Sequence, residues 1–182
     1  MQADLVRRAQ RGDEHAFAQL VPAAAERLLG VAFRILRDAS LAEDATQQAL
    51  LDAWRHLHEL RDPERFDAWT YRLVVNACYA ETRRRRPWRA MLSLVPGLEP
   101  PGRDDTRAVD DRDRIDRGFR RLSPQHRAVI VLHHHVDLPL TEVARILKIP
   151  VGTARSRLHY ATRALRESIE ADEAAAAPGR AS

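Results

Sequence analysis

Thr141-Glu142-Val143-Ala144-Arg145-Ile146-Leu147-Lys148-Ile149-Pro150-Val151-Gly152-Thr153-Ala154-Arg155-Ser156-Arg157-Leu158 is the stretch on which the fold turns. Residues 141–147 read as a short amphipathic helix. Lys148-Ile149-Pro150-Val151 breaks it, and Gly152-Thr153 opens a longer helix predicted to reach about residue 169. Two helices joined by a tight turn, the second of them basic, is the helix-turn-helix order, in which the second helix docks in a DNA major groove. Ala154, Leu158, Ala161 and Leu165 fall within about 60° of one another and form a packing side. The opposite side carries Ser156, His159 and Arg163, flanked by Arg155, Tyr160 and Arg166, and the arginine fork matches the edge of guanine. Thr153 stands with Gly152 at the helix N-terminus, where free N–H groups can hold a phosphate.

Upstream of this stretch, Ser123-Pro124 sets an N-cap residue before a proline at the first helical position, which predicts a helix through about residue 135. Residues 145–166 hold six basic side chains and no acid, whereas residues 104–116 hold six acids against three arginines. The net charge of +4 conceals this segregation, and a local basic surface of this kind is the footprint of a polyanion partner. Residues 87–112 collect Pro87, Pro96, Gly97, Pro100, Pro101 and Gly102 before that acidic run, a mixture that resists regular structure.

Residues 1–90 read as consecutive helices with few breakers. Ser40-Leu41-Ala42-Glu43 has the form of a capping box and predicts a helix start. Leu41, Ala45, Ala49, Ala53, Trp54 and Leu57 recur on its apolar side and leave Asp44, Gln47 and Gln48 nearer the other. Before it, Phe17, Leu20, Leu28, Phe33 and Leu36 continue the helical period, with Pro22 predicted to kink or interrupt it. A third helix is predicted over residues 66–86, stopping before Pro87. Trp69, Leu73, Ala77 and Ala80 share one stripe of it, and Arg72, Asn76, Tyr79 and Arg83 share another. Cations, an amide and an aromatic ring in register offer phosphate, base-edge and stacking contacts, the set that binding of single-stranded DNA requires. The basic run 83–86, which includes Arg84, adds phosphate-binding charge.

Composition narrows the function classes. At 182 residues, 45% hydrophobic and 31% charged, with 7 glycines, the chain suits helical, globular material. No apolar run approaches the roughly 20 residues of a membrane span and the N-terminus lacks the pattern of a secretory signal, so a cytoplasmic address without membrane insertion is expected. Cys78, the single cysteine, leaves no internal disulfide and reads as a small buried helix residue. His133, His134 and His135 cannot jointly face one ion on a helix, so neither a metal site nor a cofactor is expected. No nucleophile elbow, P-loop or dinucleotide motif is present, and an enzyme is not expected.

Two separated blocks resemble the extracytoplasmic-function (ECF) sigma factors of RNA polymerase. The first is Ala42-Glu43-Asp44-Ala45-Thr46-Gln47-Gln48-Ala49 followed by Phe66-Asp67-Ala68-Trp69-Thr70-Tyr71-Arg72-Leu73 and Asn76. It is similar to region two of that family. The second, Leu122-Ser123-Pro124, Glu142-Val143-Ala144 and Ile149 to Leu158, is similar to region four. The resemblance implies an all-α chain of two small helical domains: 1–90 for region two and 115–170 for the region-four helix-turn-helix. A flexible linker, 91–114, would join them, and a disordered tail, 171–182, would follow. It implies that Asp44, Gln47 and Gln48 face core RNA polymerase. Leu60, Arg61, Arg72, Asn76, Tyr79, Arg83 and Arg84 would bind the nontemplate strand of the minus-ten element. Thr153, Arg155, Ser156, Arg157, His159 and Arg163 would bind the minus-thirty-five element as duplex, and the linker's acids would lie toward the RNA exit channel. The partners implied are core polymerase, promoter DNA as duplex and single strand, and a sequestering anti-sigma factor; the halves would hold a fixed relative position only on one of these. Gln48, Ala80 and Ala154 depart from the family's usual Glu, Asp and Val. The alternative is a helix-turn-helix regulator acting on duplex DNA without polymerase, which leaves residues 1–90 unexplained.

Overall fold

In the computed structural model the backbone is described for residues 1–92 and 111–176, and side chains for residues 1–85 and 115–171. In chain order the helices are α1 (Gln2–Gln10), α2 (Glu14–Leu36), α3 (Ala39–His56), α4 (Phe66–Leu92), α5 (Asp111–Arg121), α6 (Pro124–Ile130), α7 (Leu140–Leu147) and α8 (Val151–Ala176). Two 3-10 turns, Leu57–Glu59 and Pro63–Arg65, link α3 to α4, and a π turn, Val131–His135, extends α6. There is no strand among the described residues. The predicted linker's acids at 104–105 and 110, and residues 177–182 of the predicted tail, lie outside the described residues. At the linker's edges, residues 91–92 continue α4 and 111–114 begin α5.

Helices α2, α3 and α4 pack on one another through Leu28, Val31, Ile35, Ala42, Ala45, Ala49, Val74 and Cys78, all buried. Alanines along α3 let the helices approach closely, while α2 and α4 supply the bulk; a fully buried Leu or Val contributes about 2 kcal/mol. α1 lies across this bundle with Val6 and Ala9 against Leu57, Leu60, Phe66 and Trp69. In the C-terminal half α8 is the spine: α5, α6 and α7 all pack on it. Gly118 permits the α5 approach, since a Cβ there would stand 2.5 Å from Leu165 Cδ1.

The halves are not independent of one another. Ala128, Val129, Val131, Leu132, Val143 and Ile146 join the same buried cluster as Val31, Ile35, Val74 and Cys78. Arg127 donates to the carbonyl of Ile35 at 2.6 Å, Arg65 pairs with Glu142, and Arg37 pairs with Asp116. In this arrangement α6 packs on α2 and α4, and α7 packs on α4, so the apolar sides of both face the N-terminal half.

Four local expectations are corrected. Helix α3 starts at Ala39, and its cap is Asp38, whose Oδ1 accepts from Leu41 N at 3.1 Å; Ser40 is already inside the helix. Asp38→Ala is expected to cost about 1 kcal/mol and Ser40→Ala only a few tenths, measured by denaturant unfolding; equal losses would return the cap to Ser40. Pro22 does not interrupt α2, which continues through it, and α4 runs through Pro87. A helical proline leaves the carbonyl four residues earlier without a donor. Those carbonyls belong to Ala18 and Arg83, both on exposed residues where water can serve. Finally, α2 is long and apolar enough by length and composition to cross a membrane, contrary to the expectation that no run is. Its Leu20, Ala24, Leu28, Val31 and Ile35 are spent on the core, and Glu14, Glu26, Arg27 and Arg34 interrupt it.

Candidate nucleic-acid interface

The turn between α7 and α8 is made by Lys148, which adopts a left-handed conformation at φ 53°. Lys148 N donates to Arg145 O and Ile149 N to Ala144 O, which satisfies the last carbonyls of α7 and frees Pro150 to lead into α8. Ala154 and Ala161 are buried against the rest of the half, with Leu158 and Leu165 half-buried beside them. Arg155, Ser156, His159 and Arg163 are exposed on the other side. Ser156 Oγ donates to Thr153 O at 3.1 Å, and Arg163 makes an exposed pair with Glu167 at 3.3 Å that a phosphate or base could displace. Thr153 is half-buried at the helix start. Arg157 does not belong with them. It is half-buried, and its charge acts on Tyr79 of α4 and on His126 of α6, at the seam between the halves. Burial first, and that charge second, hold the His126 imidazole below its ordinary value.

On α4 the expected single-strand stripe is split. Asn76, Arg83 and Arg84 are exposed, with Arg84 paired to Glu81 at 2.9 Å. Tyr79 turns inward: it packs against the central core, its hydroxyl is shielded without a hydrogen-bond partner, and burial pushes its pKa up to about 12. Its ring is therefore not an open stacking surface in this arrangement. Arg72 is half-buried in a cleft of about 320 Å³, with Leu60, Arg61, Asp62, Arg65 and Trp69 on one wall and Arg145 and Ile146 of α7 on the other. Leu60 is buried, so the segment between α3 and α4 presents Arg61 and Asp62 instead. Cys78, one turn from Thr82, is fully buried and its thiol is pushed up to about 12 by desolvation, as its reading as a core residue requires.

A third surface lies on α3. Asp44, Gln47 and Gln48 are all exposed, and Gln48 donates to Asp52 at 2.9 Å. Gln47 also lines a groove of about 830 Å³ between α2 and α3 whose walls are Phe17, Val21, Pro22, Leu29, Leu51 and Trp54 and whose rim holds Glu14, Glu26 and Glu43. Leu29, Leu51 and Trp54 are each about two-fifths exposed, and the Phe17 and Trp54 rings meet at 4.8 Å. Trp54, expected on the apolar side of α3, is instead exposed, and with Leu29, Leu51 and the half-buried Phe17 it forms an apolar patch with an acidic rim, the kind of feature that marks a protein-binding surface. The sequence signal was Gln47, Leu51 and Trp54 at successive helical turns, a line outside the alanine stripe.

The histidine triplet does not converge. His133 shares a hydrogen bond at 2.8 Å with Leu138 O, and its ring lies tilted at 55° and 4.6 Å from that of His134, which is exposed like His135. Among the described residues no group of three or more His, Cys, Asp or Glu is arranged to hold a metal.

Residues 20–87 match Sigma-70 region 2, and residues 118–167 match Sigma-70, region 4. The ECF RNA polymerase sigma factor SigL of Mycobacterium tuberculosis is 35% identical over 143 residues, 76% of this chain and 80% of that protein. SigW of Bacillus subtilis, also an ECF RNA polymerase sigma factor, is 27% identical over 176 residues, 90% of this chain and 94% of its own length. Among solved structures, CnrH in complex with the cytosolic domain of CnrY superposes with a TM-score of 0.67 at 26% identity, covering 94% of this chain and 98% of that one. The sigma factor RpoE of Bartonella quintana, in complex with the anti-sigma factor NepR, shares the fold at TM-score 0.68 and 22% identity, over 86% and 98%.

Proposed function

The chain belongs to the ECF sigma factors of RNA polymerase, and from that premise we propose how its surfaces divide the work of initiation. The α3 face, Asp44, Gln47 and Gln48, docks on core polymerase, with the α2–α3 groove receiving apolar side chains beside it. The segment 57–66 and the exposed α4 residues Asn76, Arg83 and Arg84 hold the unpaired nontemplate strand of the minus-ten element. Arg155, Ser156, His159 and Arg163, with Thr153 at the helix start, read the minus-thirty-five duplex. Arg157 serves the seam, and Arg72 and Tyr79 become available to a strand only when the C-terminal half moves off α4. Residues 1–90 and 115–170 are the two working units. The protein contributes no covalent chemistry, works in the cytoplasm with the polymerase, and is held in reserve by an anti-sigma factor, as CnrH is bound by CnrY.

The observation that carries this reading is the exposure of the α3 face and its apolar groove, which a regulator of duplex DNA alone would not need. Run-off transcription with core polymerase on promoter DNA tests it; no transcript with any core enzyme would hand the lead to the duplex-only regulator. Within that assay, Arg155→Ala is expected to cost about 2 kcal/mol in upstream-element binding and to relax one base preference. An equal loss on every sequence would make Arg155 a phosphate contact, and no loss would remove it from the reader.

A further inference from the structure

Gln10 closes α1 and lies ten residues before the region-2 match begins, yet it reaches the segment that region supplies for strand capture. Its half-buried Nε2 donates to two carbonyls, Leu57 O at 3.0 Å and Leu60 O at 2.7 Å. These carbonyls bracket the 3-10 turn with which α3 ends, where main-chain acceptors have lost their helical donors. Leu57 O also takes the Leu60 N–H at 3.1 Å, using its second lone pair. Leu60 itself is extended (φ −74°, ψ 103°) and buried, so the orientation of its peptide sets the direction in which Arg61 and Asp62 leave the bundle. One amide with two hydrogens fixes that peptide, and only a donor can do so.

The rest of α1 supports the same segment. Val6 and Ala9 pack against Leu57, Leu60 and Phe66. Arg7 stands 4.0 Å from Glu64, and Gln2 donates to Asp67 at 2.8 Å. Helix α1 is thus a splint laid along residues 57–67, with apolar contacts beneath and polar contacts at both ends. The exposed Arg7–Glu64 pair holds little; the Gln10 contacts are partly shielded from water and hold more.

We propose that Gln10 is a positioning residue for minus-ten recognition: its side-chain amide sets the Leu60 peptide and thereby aims Arg61 and Asp62 at the unpaired strand. This rests on the assignment of residues 57–66 to strand capture. Gln10→Met keeps length and removes the donors, Gln10→Glu sets an acceptor against two acceptors, and Gln10→Lys keeps donors on a stem of similar reach. Each variant is made in the full chain and assayed by run-off transcription on a duplex promoter and on derivatives changed one base at a time in the minus-ten element. Gln10→Met and Gln10→Glu are expected to lower transcription about tenfold and to flatten the base preference, with core-polymerase capture and upstream-element binding unchanged. Gln10→Lys should retain most of the preference, which a requirement for packing alone would not predict. Arg61→Ala is the control for the underlying assignment. If Arg61→Ala alters the preference and Gln10→Met does not, Gln10 has no positioning role and the strand-capture segment stands. If neither alters it, the assignment of that segment falls and the role of Gln10 with it. Loss of core capture or of preference at the upstream element in Gln10→Met, with the same loss in Gln10→Lys, would make Gln10 a residue of general stability and overturn the proposal.

Discussion

Asp44→Arg is expected to weaken capture by core polymerase by about a hundredfold or more while leaving the helical content and unfolding midpoint of the free protein unchanged. Asp44 is exposed on α3, away from the alanine stripe that packs on α2 and α4, so the larger side chain meets no core atom. The effect on docking comes from charge. Glu14, Glu26 and Glu43 rim the adjoining groove, and with Asp44 they give this face a negative potential that selects a basic partner surface. Reversing one charge where the partner presents its own cations places like charges together, which costs several kcal/mol in a desolvated contact, and about 2.7 kcal/mol is already a hundredfold. Competition for core polymerase between parent and variant, read at two ionic strengths, checks it. A loss of only a few-fold that disappears in salt would make Asp44 a rim residue and move the main contact to the groove, where Trp54→Ala would then show the larger loss.

The parts of this protein that could be read from sequence are those decided locally. Ser123 caps α6 as expected, with its Oγ accepting from His126 N, because an N-cap serine before proline has few other uses. The α7–α8 turn was legible because Ile149-Pro150 interrupts two opposed apolar stripes, and the structure puts Ala154 and Ala161 in the core and Arg155 and His159 outside it. Most of what failed was decided at a distance. Asp38 and Ser40 are both good capping residues two positions apart, and α3 starts after the earlier one, whose carboxylate accepts from Leu41 N. Tyr79 falls in register with Asn76 and Arg83 on a helical wheel, but the C-terminal half supplies a second apolar wall for α4, and the ring turns toward it. Arg157 shares a helix with the readers but faces the seam for the same reason. Gln10 gave no sequence signal at all, since its role depends on two carbonyls nearly fifty residues away.

Asn76→Ala should reduce run-off transcription from a duplex promoter by roughly a hundredfold without changing core-polymerase capture or upstream-element binding. Of the stripe Arg72, Asn76, Tyr79 and Arg83, Asn76 is the exposed residue that can both donate to and accept from a base edge. It needs no separation of the halves to be reached, unlike Tyr79. Removing its amide leaves no buried group unpaired in the free protein, so stability should hold within about 0.5 kcal/mol. The loss appears only when a base leaves the duplex stack, a step that costs a few kcal/mol and that capture must offset. A template already mismatched across the minus-ten element removes much of that cost and should restore a large part of the activity; what remains missing measures lost base recognition. The parent should gain less from the same mismatch, because its capture already offsets the cost. Equal stimulation of parent and variant would place Asn76 outside the melting step, and full activity of the variant on the duplex would remove it from strand capture, leaving Arg61, Asp62 and the basic end of α4 to carry that work.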